Sequence, residues 1–273
     1  MKKFGKVAAV MLAALMLAGC MLSETGTQTV QTTTLEAEGT AAAVTEGMTQ
    51  PITEATTQPK EKRLVVIDPG HQARGNSEKE PNGPGSDVLK AKVSSGATGR
   101  FTGIPEYELN LAVSFMLKEI LEARGYEVVM VRTTHDVNIS NAERSQMANE
   151  LNADIFVRIH ANDDTDSSTN GILTICQTRK NPYNSDLHEK SYLLSQLVLE
   201  GMVATTGANK RYVWETDTMT GINWCRVPVT IVEMGFMSNE TEDRNLATEE
   251  YRRLMAEGIA NGIDRYFAEV SGG

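Results

Sequence analysis

The sequence is poor in cysteine, histidine, positive charge and long apolar runs. Three cysteines in 273 residues are too few for a disulfide scaffold. Lys and Arg number 26 against 36 Asp and Glu, a formal net charge of −10. A dedicated nucleic-acid binder needs a basic footprint to displace counterions from phosphates, so this balance argues against one. No apolar stretch reaches the roughly 20 residues that a transmembrane helix requires. Internal repeats are also lacking. What is present is an apolar fraction of 40%, enough for a sizeable core, which excludes wholesale disorder. The length allows one large domain or two small ones.

Residues 1–19 read as an address. Lys2, Lys3 and Lys6 form a positive start, and Val7 to Ala18 an apolar stretch of export-signal length. Leu17-Ala18-Gly19-Cys20 resembles the lipobox of bacterial lipoproteins. That resemblance implies cleavage before Cys20, acylation of Cys20, and an exported protein anchored to the membrane at the cell envelope. An ordinary small-residue cleavage site is the plainer alternative. Removing residues 1–19 takes away three lysines and no acid, leaving 23 basic against 36 acidic residues, or −13. Residues 20–61 are rich in Thr with Gln, Ala and Gly. They hold no helical or strand period and cannot offset their conformational entropy by burial, so they read as a disordered tether from Cys20.

Residues 62–270 read as one globular domain. Leu64 to Ile67 suits a buried strand, and further strands are expected at 127–132, 155–159, 171–177 and 227–232. Helical spacing marks 106–124, 140–151, 185–205 and 247–268, with Leu109, Val113, Met116, Leu117 and Ile120 on one stripe of the first and Gly125 as its stop. Strands alternating with such helices imply an α/β domain with a mostly parallel twisted sheet covered on both faces. Residues 72–103, rich in Gly, Ser, Pro and Lys, read as a long inserted loop, and long loops in compact domains are often functional.

In open parallel sheets ligands bind beyond the carboxyl ends of the strands. His71 follows the first strand, His160 the third and Glu233 a later one, while Glu106 opens the first helix after Pro105. Two imidazoles and a carboxylate suit zinc with one position left for water, and a further Glu can move protons there. Only four histidines exist, and His135 and His188 fall on expected loop or helix surfaces. Spacing alone leaves a plainer reading open. Each His can be a hydrogen-bonded structural residue, Glu106 can serve the helix dipole, and no compact His-Glu-x-x-His motif is present.

The flanking words add a resemblance. Val65-Val66-Ile67-Asp68-Pro69-Gly70-His71, Glu106-Tyr107-Glu108-Leu109-Asn110-Leu111, Arg144 with Ala148-Asn149 and Ala153-Asp154 leading to Ile159-His160-Ala161-Asn162, and Pro228 through Glu233 to Ser238-Asn239 occur in that order. Together they resemble the zinc-dependent N-acetylmuramoyl-L-alanine amidases of amidase type 3. The resemblance implies about six strands with helices on both faces, and peptidoglycan as the macromolecular partner. It implies hydrolysis of the amide between N-acetylmuramic acid and L-alanine. His71, Glu106 and His160 become zinc ligands, with Glu108 the alternative to Glu106, and Glu233 becomes the catalytic acid/base.

The chain departs from the family pattern in three places. Gln72-Ala73 stands where Gly-Gly is frequent, Arg158 where Ser is frequent, and the segment 72–103 is long. No separate wall-binding repeat is visible. Arg211 and the stretch Trp214 to Trp224 read either as groove-lining residues or as loop packing. Cys176 and Cys225 read either as a disulfide or as two buried thiols. Three other functions compete with the amidase: a non-catalytic wall-binding lipoprotein, a zinc peptidase cutting within the stem peptide, and a two-lobed solute-binding protein. The sequence leaves a protein activator open.

Overall fold

The computed structural model of the protein describes residues 62–272. The expected signal (1–19), Cys20 and tether (20–61) lie outside the described residues. The chain runs β1 (Leu64–Pro69), β2 (Asn76–Pro81), β3 (Leu89–Val93), α1 (Glu106–Ala123), β4 (Glu127–Met130), α2 (Asn141–Glu150) and β5 (Ile155–Asn162). It continues through β6 (Ile172–Cys176), α3 (His188–Thr206), β7 (Lys210–Glu215), α4 (Thr220–Asn223), β8 (Val229–Phe236), α5 (Glu240–Leu246) and α6 (Glu249–Gly272). A six-stranded sheet has the order β4-β1-β5-β8-β6-β7. Its first four strands are mutually parallel, and β6 turns antiparallel to β8 while pairing parallel with β7. The expected α/β sheet, mostly parallel and six-stranded, is therefore the observed one.

Helices form where the sequence supplies both a stripe and an end signal. In α1, Leu109, Val113, Leu117, Ile120 and Leu121 are buried along one side, and Gly125 follows at φ 91°, which favours glycine. Ser140 caps α2: its hydroxyl accepts from the Glu143 N–H, and the Glu143 carboxylate accepts from the Ser140 N–H at 2.7 Å. That reciprocal pair satisfies two donors that a helix start leaves open.

The two faces of the sheet are covered unequally. Val65, Ile67, Ile155, Val157 and Ile159 join α1, α3 and α6 in one core cluster. Val66, Phe156, Leu173, Ile175, Val229 and Ile231 form the other face, beneath α2 and α4. These are short helices, so this second face keeps an open region over β5, β8 and β6. Strand alternation places Arg158 and His160 on that same face as Phe156.

Several expectations are corrected. Strands β5 and β8 run on to Asn162 and Phe236, so His160 and Glu233 lie within strands rather than after them. Residues 72–103 are not a bare loop but carry the antiparallel hairpin β2–β3. Arg211 and Trp214 belong to β7, an edge strand, not to a loop. His188 is buried rather than on a surface, because it opens α3 against Glu215, 2.8 Å from Nε2. His135 is exposed as expected. Cys176 and Cys225 are both buried free thiols. Among the described residues there is one six-stranded sheet, not the two lobes of a solute-binding protein.

Candidate metal centre

Three side chains far apart in sequence meet at the carboxyl ends of β1 and β5. His71 Nε2 lies 3.2 Å from Glu106 Oε1. His160 Nδ1 lies 3.1 Å from His71 Nε2 and 3.2 Å from Glu106 Oε1. The three atoms thus form a nearly equilateral triangle. Ligands at about 2.0–2.1 Å around a tetrahedral centre sit roughly 3.3–3.4 Å apart. The triangle needs to open by only a few tenths of an ångström to hold such an ion. Two imidazole nitrogens and one carboxylate oxygen are also the right donor chemistry for zinc. The residues present fit the ion on geometry and on donor type.

The fold fixes each ligand. His71 takes φ 61°, a left-handed conformation that costs a non-glycine residue energy and is kept where surroundings enforce it. Its Nδ1 is 3.0 Å from the Ser94 carbonyl oxygen. The Ser94 hydroxyl lies equally near; a proton on Nδ1 satisfies the carbonyl, which can only accept, and leaves the Nε2 lone pair for a metal. Glu106 Oε2 accepts from the Ala97 N–H at 2.8 Å, and Oε1 from the Ala161 N–H at 3.1 Å and Asn110 Nδ2 at 3.2 Å. Ser94 and Ala97 both come from the 72–103 segment. That segment therefore holds two of the three candidate ligands, a role beyond shaping the cleft. Gly96 between them has φ 83°, and a Cβ there would stand 2.6 Å from Glu106 Oε2 and 2.8 Å from the His71 ring. Glu108, the alternative ligand, is exposed and accepts from the Tyr107 hydroxyl.

The electrostatics keep the donor atoms available. Burial alone would raise the Glu106 carboxyl, but hydrogen bonds and charge from His160 and His71 outweigh it and hold it well below the usual range. Burial lowers His160 to about 4, against the opposing pull of Glu106. At neutral pH that ring is uncharged, as a metal ligand must be. His160 Nε2 is buried with no partner among the described residues.

Glu233 stands beside this triangle. It is the register partner of His160 across the parallel pair β5–β8, where neighbouring strands lie about 4.8 Å apart. Its Oε2 is buried with no hydrogen-bond partner among the described residues. Burial, joined by the Glu106 charge, pushes its carboxyl well above the ordinary value, with Arg158 opposing. His71, His160 and Glu233 line a cavity of about 240 Å³ together with Arg158, Ile231 and the Met219–Gly221 segment. Of the stretch 214–224, only that segment reaches the cavity. Trp224 instead donates to the Pro81 carbonyl of the hairpin, and Arg211 stacks over Phe236.

One feature left no sequence signal as a unit. Asp68 is fully buried between Arg144, at 2.6 Å, and Arg158, at 2.8 Å. Burial opposes its ionisation, yet the two guanidiniums hold it far below the usual carboxylate range. Arg144 also donates to the Pro69 and His71 carbonyls. The ion pair therefore clamps the turn that presents His71.

Comparison with known proteins agrees with this geometry. Residues 65–265 match the family model Amidase_3, N-acetylmuramoyl-L-alanine amidase. The chain belongs to that family. It is 31% identical to the uncharacterized protein YqiI of Bacillus subtilis, over 77% of this chain and 87% of YqiI. It is 28% identical to N-acetylmuramoyl-L-alanine amidase LytC of the same organism, over 77% of this chain but only 36% of LytC. Among solved structures, the catalytic domain of CwlV, an N-acetylmuramoyl-L-alanine amidase from Bacillus (Paenibacillus) polymyxa, superposes with a TM-score of 0.61 at 27% identity. That match covers 76% of this chain and 98% of the other.

Proposed function

We propose that this amidase cleaves peptidoglycan at the amide between N-acetylmuramic acid and the L-alanine of the stem peptide. Zinc would be held by His71, Glu106 and His160, with Glu233 as general acid/base. The observation that carries the reading is the triangle of ligand atoms, 3.1–3.2 Å on a side, with Glu233 on the adjacent strand. A bound zinc ion supplies Lewis acidity, polarising the amide carbonyl and making a water acidic enough to attack near neutral pH.

The chain's own residues do the rest. His71 and Glu106 are pinned by the 72–103 segment, so the ligand geometry exists before the ion arrives. Glu233 is the proton carrier: it takes the proton of the attacking water and delivers it to the departing L-alanine amine. Its raised affinity for a proton suits the acid half of that task, and the charge of a nearby cation would lower that affinity, favouring the carboxylate that takes the proton.

We also read Cys20 as a lipid anchor that keeps an exported enzyme at the envelope near its polymer. Recovery of the protein in the detergent phase, abolished by Cys20→Ser, supports that reading; an unchanged distribution refutes it. For the enzyme, the purified protein with zinc is incubated with peptidoglycan. Stem peptides with a new L-alanine amino terminus, absent for Glu233→Ala and after chelation, are the expected products. Fragments cut inside the stem peptide would make it a peptidase instead, and zinc and wall binding without cleavage would make it a binding protein.

A further inference from the structure

Three arginines gather beneath the site, and only one keeps a free group. Arg132 donates to the carbonyls of Pro69, Gly70, Thr134 and Tyr107. Arg144 spends every nitrogen on Asp68, Gln72 and the carbonyls of Pro69, His71 and Ile139. Arg158 donates from Nε to Asp68 and from Nη2 to Asn141 Oδ1. Its Nη1 has no partner among the described residues. The residue is only 3% exposed, yet it lines the cavity shared by His71, His160 and Glu233. Gly221 lies directly over this nitrogen, since a Cβ there would stand 1.7 Å from Nη1. The backbone has been kept bare for the guanidinium to reach past.

The charge balance points the same way. Asp68 is the one carboxylate paired with Arg144 and Arg158, so one positive charge of that pair is uncompensated. A buried guanidinium with a free edge is costly unless an anion completes it. Glu106 would be a ligand of the dication and Glu233 its proton carrier, so neither is left to complete the guanidinium.

We propose that Arg158 is a specificity-determining residue that binds a carboxylate of the substrate, on the peptide side of the scissile amide and about one residue beyond it. This rests on the amidase reading above. The spacing comes from the strand: Arg158 precedes His160 by two residues on one face of β5, about 6.6 Å. The side comes from chemistry. The lactyl carboxyl of a muramic acid is consumed in the scissile amide, and its other groups are hydroxyl and acetamide, so the anion lies toward the peptide. The free Nη1 carries two N–H donors on a group that stays charged, so a carboxylate oxygen is the acceptor that completes it with a charge-assisted hydrogen bond.

The test uses two N-acetylmuramoyl-L-alanyl dipeptides that differ in one group, a free carboxylate or its carboxamide on the second residue. The wild-type protein is expected to favour the carboxylate at least tenfold in kcat/KM, chiefly through KM. Arg158→Met and Arg158→Ser are expected to bring the ratio near one, with Arg158→Lys between, since Arg144 still holds Asp68. A wild-type ratio near one overturns the proposal, as does a variant that folds and keeps the wild-type ratio. A structural role for Arg158 would lower both substrates equally. The same pair is titrated by calorimetry into Glu233→Ala protein with zinc, where tighter binding of the carboxylate is expected and equal binding overturns the proposal. If the wild type cleaves neither compound, the amidase reading fails while this binding arm still decides Arg158.

Discussion

Replacing Glu106 with Gln tests the metal centre through stability, without any substrate. Both carboxylate oxygens face donors: Oε2 the Ala97 N–H, and Oε1 the Ala161 N–H and Asn110 Nδ2. An amide in either orientation turns an NH2 toward a backbone N–H. It also removes the one negative charge among the three candidate ligands. Leaving a buried donor unpaired costs about 1–3 kcal/mol before any ion is considered. For the wild type, free zinc at a hundredfold excess over its Kd stabilises the fold by about 2.7 kcal/mol. For a domain of about 210 residues that corresponds to a rise in Tm of roughly 5–11 °C. Thermal unfolding with and without zinc at that concentration is the assay. Glu106→Gln is expected to lose at least a hundredfold in affinity and to show a rise of less than about 2 °C. Glu108→Gln should keep the full rise, since Glu108 is exposed and points at Tyr107. An equal rise in Glu106→Gln, or its loss in Glu108→Gln, would refute the assignment of Glu106.

Other consequences follow from burial. His160 falls from 6.5 to about 4 in the fold, so the unfolded chain binds that proton first. Metal-free stability should be fully present above pH 6.5 and drop by up to about 3 kcal/mol as pH falls toward 4; a Tm flat across that window would contradict the burial of a neutral ring. Glu233 has the opposite sign, its carboxyl being raised, so the stability it contributes is lost as pH rises above its unfolded value. Metal-free Glu233→Gln should therefore gain Tm over the wild type more at pH 8 than at pH 4, and a constant difference would count against an unpaired buried carboxylate. Arg144→Met should cost about 3–5 kcal/mol in chemical denaturation, because it takes one of two guanidiniums from Asp68 and also leaves the Pro69, His71 and Ile139 carbonyls without that donor; a loss under 1 kcal/mol would show that the clamp is dispensable. Cys176 and Cys225 are pushed up to about 12 by burial. Both should resist a thiol reagent in the native state and react on unfolding, whereas a disulfide would react only after reduction.

The parts of the fold that were legible in the sequence are those that bury an unbroken apolar run or a clear helical stripe, such as Val65–Ile67 and the inward side of α1. The hairpin β2–β3 was not, because Asn-Ser-Glu-Lys-Glu-Pro and Leu-Lys-Ala-Lys-Val expose most of their side chains and give no hydrophobic period. Edge strand β7 failed to register for the same reason: its residues range from exposed to half-buried. Strand ends were misplaced at His160 and Glu233 because polar residues inside a strand read as its end, although the sheet there borders a cavity. His71, Glu106, His160 and Glu233 were each visible by their position after a strand or at a helix start. Their convergence rests on pairings across 54 and 89 residues, which no local pattern encodes. The support from Ser94 and Ala97, and the pairing of Asp68 with Arg144 and Arg158, are long-range contacts of the same kind.

The central proposal is that this site, loaded with zinc, cuts the muramoyl–L-alanine bond. Mass spectrometry of peptidoglycan treated with the purified zinc-loaded protein tests it most directly. The account predicts free stem peptides that begin with L-alanine, lost in Glu233→Ala protein that still folds and still binds zinc. Intact muramoyl–alanine linkages after exhaustive digestion, or release of those same peptides by Glu233→Ala at the wild-type rate, would contradict it.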